Sequence, residues 1–173
     1  MGTAAPIRYP ILERHMLKAS WKLSVVVCLI VGLVGASSAQ ASDAGLRKIV
    51  KRHEARVVPL AKKFSQADKA LATAPDTSAA SAADQALRAG LGRFKLALVP
   101  IKTQTPNAKL AKKVLLKAIR EFDLGLVQYQ VLLDKVNGGE SKASLQQSFV
   151  TLNKRIAAAA KNEQKGLTLL GLT

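Results

Sequence analysis

The sequence predicts an all-α protein, an antiparallel up-and-down four-helix bundle preceded by a signal peptide. Three observations predict it. A short uncharged apolar run near the N-terminus follows scattered cations and precedes small residues. Four later stretches repeat apolar side chains at steps of three and four, the spacing of one helix face. No period-two alternation persists beyond a few residues, so strands are not indicated.

In order along the chain, Arg8, Arg14, Lys18 and Lys22 make residues 1–22 a positive n-region. Residues 23–36, LSVVVCLIVGLVGA, form an h-region shorter than the roughly 20 apolar residues of a spanning helix. Ala39-Gln40-Ala41 then offers a small-x-small site, which predicts a signal peptide over 1–41 and cleavage after residue 41. The remainder would be extracytoplasmic, whether secreted, periplasmic or associated with the cell wall. With Cys28 the sole cysteine, no internal disulfide is available.

The mature domain, 42–173, holds helices predicted at roughly 43–73, 79–102, 106–136 and 141–169. The first has Ser42 as its expected N-cap and a heptad seam of Leu46, Val50, His53, Val57, Leu60, Phe64, Ala67 and Leu71. Ala74-Pro75-Asp76-Thr77-Ser78 separates it from the second, whose stripe is Leu87, Leu91, Phe94, Leu98 and Ile101. Thr105-Pro106 starts the third, because proline at the first helical position lacks only an N–H that had no partner. Its stripe runs Leu110, Val114, Leu115, Ala118, Phe122, Leu126, Tyr129, Leu133 and Val136 to Asn137-Gly138-Gly139. Ser141 caps the fourth, which continues through Leu145, Phe149, Leu152, Ile156, Ala159, Glu163, Leu167 and Leu170. Pro59 and Pro100 are each expected to kink or end a helix.

Lys and Arg number 27 against 11 Asp and Glu, a formal charge of +16. Up-and-down threading would put the starts of helices one and three beside the finishes of two and four. Sorted that way, almost all the excess charge falls on one half of the molecule. Its cations oppose the macrodipole at two helix starts and repel one another, a cost that suggests a use. The candidate polyanion-binding residues are Arg47, Lys48, Lys51, Arg52, Lys109, Lys112, Lys113, Lys117, Lys154, Arg155 and Lys161. The expected partner is an anionic polymer or membrane surface, bound without sequence specificity and with strong salt dependence. Sequence-specific nucleic-acid reading is not expected, since stacking aromatics and recognised motifs are missing.

His53 and Glu163 fall on seam positions of the charged half, a possible buried polar pair in which the carboxylate would raise the imidazole pKa. The simpler expectation for His53 is a core or rim histidine. No phosphate loop, nucleophile elbow, haem-attachment motif or zinc-binding helix occurs, so no enzyme, metal or cofactor is expected. Two other readings compete with polyanion binding. One is a small-ligand-binding or chaperone-like bundle with a gap beside Pro59, Gly90, Gly92 and Gly125. The other is a structural oligomer subunit whose apolar tail, 167–172, exceeds what one helix face buries.

Overall fold

The computed structural model describes residues 43–71 and 77–172, the side chains of 142 and 143 excepted. The signal peptide, the Ser42 cap and residues 74–76 of the first break lie outside the described residues. Among the described residues there are four helices and no strands: α1 Ala44–Ala70, α2 Ser78–Leu98, α3 Pro106–Asn137 and α4 Lys142–Leu169.

Helix ends follow local chemistry. α1 continues through Pro59 rather than ending there, whereas α2 stops at Leu98, short of the predicted residue 102. Pro100 lacks the N–H that would extend the ladder. Lys112 Nζ donates instead to the carbonyls of Val99 and Ile101 at 2.7 and 2.6 Å. Thr105 caps α3 by accepting from Ala108 N, and Ser141 caps α4 by accepting from Ser144 N, each at 3.2 Å. Both α3 and α4 finish in Schellman turns. Glu140 N bonds Lys135 O and Leu172 N bonds Leu167 O, with Gly139 (φ 89°) and Gly171 (φ 64°) in the left-handed conformation that glycine adopts without steric cost.

The core is a continuous aliphatic cluster in which Leu46, Leu98, Leu115, Leu126, Leu133, Leu152 and Leu170 are all but inaccessible. α3 and α4 pack most extensively, followed by α1 with α2 and then α2 with α3. Gly166 brings α4 against Leu115 and Ala111 of α3, and Gly125 brings α3 against Ile156 and Leu152 of α4. One stripe position departs from expectation. Leu110 is 42% exposed, while Ala108 and Ala111 face the core. The close α3–α4 approach favours alanine there. The C-terminal tail also departs: Leu167 and Leu170 are buried, and Leu169 and Leu172 pack partly against the core as the Schellman turn folds back.

Three polar pairs cross the α2–α3 seam. Thr77 Oγ1 donates to Asn137 Oδ1 at 2.7 Å, Ser81 Oγ to Gln130 Oε1 at 2.9 Å, and Arg88 Nε to Asp123 Oδ1 at 3.2 Å. These rungs recur at helical spacing on both sides.

Candidate functional site

The candidate cations divide into exposed and committed groups. On α1, Lys48, Lys51 and Arg52 are exposed, while Arg47 is half-buried with its Nε enclosed and unbonded. On α3, Lys109, Lys113 and Lys117 are exposed, but Lys112 is half-buried and already holds the two carbonyls at the end of α2. On α4, Lys154 and Lys161 are exposed; Arg155 is half-buried with its Nε 3.8 Å from Glu121. Lys112 and Arg155 thus differ from the other candidates in having partners within the protein.

One contact set ties the start of α1 to the start of α3. The Asp43 carboxylate accepts from Gln104 N at 3.1 Å, from Thr105 N at 3.3 Å, and from the Thr105 hydroxyl. The Thr105 hydroxyl bond, then that from Gln104 N, holds the Asp43 pKa below its usual value. Asp43 makes no side-chain bond to its own helix. The carboxylate at the N-cap position of α1 thus serves the N-terminus of α3, which has no acidic residue in its own first turn.

His53 and Glu163 have separate surroundings. His53 is buried and stacked on Phe94, ring centroids 5.1 Å apart and planes 13° from parallel. Burial lowers its pKa, and the guanidinium groups of Arg56, Arg52 and Arg93 lower it further. The expected rise is replaced by a fall because burial disfavours the imidazolium and the nearby charges are cations rather than a carboxylate. Glu163 is half-buried and pushed up to about 7 by burial and then by the charge of Glu54. Glu54 is itself raised by burial, with Lys51 opposing.

One buried acid, Asp84, was not foreseen. Asp84 is 0% exposed, and neither carboxylate oxygen has a hydrogen-bond partner. Burial raises its pKa to about 6, with Arg88 lowering it and Asp123 raising it. Nearby, Tyr129 donates its hydroxyl to Asp68 Oδ1 at 2.8 Å and meets Phe64 edge-on at 4.9 Å. Burial raises the Asp68 pKa, partly offset by the tyrosine bond and Lys69. Tyr129 is also raised, first by burial and then by Asp68, so its hydroxyl stays a donor. The signal for this polar layer was present in the four-three-four spacing of Thr77, Ser81, Asp84 and Arg88 on α2, and in the heptad spacing of Asp123, Gln130 and Asn137 on α3.

Two of the glycines lie where helices approach closely. A Cβ on Gly90 would stand 2.7 Å from Leu60 Cδ1, and one on Gly125 would stand 3.1 Å from Ile156 Cγ1. Gly92 and Pro59 are exposed. An open groove of about 340 Å³ does lie between α1 and α2, lined by Leu60, Lys63, Gln66, Ala67, Ala79, Ala82, Ala83 and Ala86. No group of three or more His, Cys, Asp or Glu among the described residues is placed to hold a metal ion.

No protein-family model matches the chain, and no significant match to it was found among curated proteins or solved structures.

Proposed function

We propose that the chain is an exported, non-enzymatic bundle of four helices threaded up and down, whose cationic half associates with an anionic cell-envelope polymer or surface. The threading is supported by contacts whose residue numbers run in opposite senses along neighbouring helices. Thr77, Ser81 and Arg88 meet Asn137, Gln130 and Asp123 in turn, and Gly125 and Gly166 meet α4 and α3 likewise. Export is supported by the n-region, apolar run and Ala39-Gln40-Ala41 site. Intact-mass measurement of protein recovered outside the producing cell should give a chain beginning at Ser42; a chain retaining residues 23–36 would reject cleavage.

The observation that carries the binding role is the exposure of Lys48, Lys51, Arg52, Lys109, Lys113, Lys117, Lys154 and Lys161 without an ion-pair partner among the described residues. Cations free of internal partners release counterions when they meet a polyanion, which makes the association strong at low salt and weak at high salt. Heparin chromatography tests this. The native protein should elute late, and Lys109→Glu/Lys113→Glu/Lys117→Glu should elute at much lower salt with an unchanged circular dichroism spectrum. Lys112 is left out of that set because its removal would unpair the Val99 and Ile101 carbonyls that follow α2. Equal elution of native and variant would reject the role.

A further inference from the structure

We infer that the outward face of α3 is a docking surface for an anionic lipid bilayer. This inference rests on the anionic-surface reading and narrows it to one partner. Lys113, Lys117, Arg120, Leu124, Val127 and Val131 succeed one another at steps of four and three, which places them in one stripe along the helix. All six are exposed, Val131 by 48%. The opposite side of the same helix is committed to the core through Leu115, Leu126 and Leu133. α3 is thus apolar on two sides, and nothing among the described residues covers the outer one.

Charge and apolarity in the stripe fit a bilayer better than a hydrated polymer. Its first half is cationic, and the two α3 acids nearest that half are turned to neighbours. Glu121 faces Arg155, and Asp123 is bonded to Arg88. Lys113, Lys117 and Arg120 therefore face outward with no acid in their own stripe. A polysaccharide or teichoic-type chain would engage these three and leave Leu124, Val127 and Val131 against water. A lipid surface takes both halves: phosphates meet the cations, and the aliphatic side chains enter the boundary between headgroups and acyl chains. No helix among the described residues is long and apolar enough to cross a membrane, so the contact is lateral.

The test is co-sedimentation of the exported protein with phosphatidylcholine vesicles, with and without phosphatidylglycerol. Binding is expected only with the anionic lipid and should weaken as salt rises. Leu124→Ser/Val127→Ser/Val131→Ser should lower the partition coefficient about tenfold or more, given the apolar area withdrawn from the interface, yet elute from heparin as the native protein does. Lys113→Gln/Lys117→Gln/Arg120→Gln should weaken both. Native-level vesicle binding by the serine variant would overturn the lipid inference and leave polyanion binding standing. A native protein that binds neither heparin nor vesicles would overturn both. A native dimer that the serine variant converts to monomer, with no vesicle binding, would assign the stripe to a second copy and overturn the lipid inference.

Discussion

Asp84→Asn is expected to be more stable than the native protein at pH 8 and nearly equal to it below pH 4. The reason is the raised pKa of a carboxylate that is 0% exposed and has no hydrogen-bond partner on either oxygen. The folded state holds the proton up to about pH 6, whereas the unfolded chain releases it near the ordinary value of 3.8. Between those values the native state binds more protons than the unfolded state, so stability falls as pH rises. Above the window the whole cost is present, about 3 kcal/mol for a displacement of this size. Burial sets the sign, and the facing charges only moderate it. Arg88 on its own helix favours the charged form but is shared with Asp123 of α3, whose charge opposes it. Tyr129 of α3 donates to Asp68 of α1 and leaves Asp84 unserved.

Chemical denaturation of both proteins from pH 4 to pH 8 measures the effect. Subtracting one profile from the other removes the background of the remaining charges, and the difference should grow through the window to about 2–3 kcal/mol. An amide at the same position still lacks a partner, which keeps the gain below the full value. Parallel profiles for the two proteins would show that Asp84 carries no such cost. Glu163, raised to about 7, has the same sign and shifts the native optimum further toward acid.

The sequence made the helices legible because their apolar positions repeat. Leu87, Leu91, Phe94 and Leu98 were read as one stripe, and all four are buried. Three features escaped for physical reasons. Alanine carries little hydrophobic weight, so Ala108 and Ala111 were passed over for Leu110, although the shallow side chain is what a close helix contact selects. Polar residues on a seam look like solvated positions, so the Thr77–Asn137, Ser81–Gln130 and Arg88–Asp123 rungs went unread. Long-range capping has no local signature. Asp43 stands 62 residues from Thr105, and only the packed helices bring its carboxylate to the start of α3. At the candidate site, the sequence shows where cations occur but not which of them the fold employs internally. Lys112 and Arg155 carry the same formal charge as Lys113 and Lys154 and differ only in what lies beside them.

Gly166→Ala is expected to destabilise the bundle, against the ordinary gain of replacing a helical glycine. In a helix, alanine is favoured over glycine by about 1 kcal/mol. At Gly166 a Cβ would lie 2.7 Å from Leu115 Cγ and 2.8 Å from its Cδ2. Leu115 is 1% exposed and held at its branch point, so it yields only by moving the core or the α3–α4 spacing. Overpacking of that kind costs about 1–3 kcal/mol and should outweigh the helical gain, leaving a net loss near 1–2 kcal/mol. Gly92→Ala is the control, since no atom lies within 4 Å of its Cβ position, and it should stabilise. Leu115→Ala alone should cost about 2–5 kcal/mol by opening a cavity. Combined with Gly166→Ala it should cost at least 1 kcal/mol less than the sum, because the new methyl enters space the leucine has vacated. Thermal or denaturant unfolding of the four proteins completes the cycle. Additive losses, or a Gly166→Ala protein as stable as the native one, would mean that the backbone of α4 does not approach α3 as closely at that point as the structure places it.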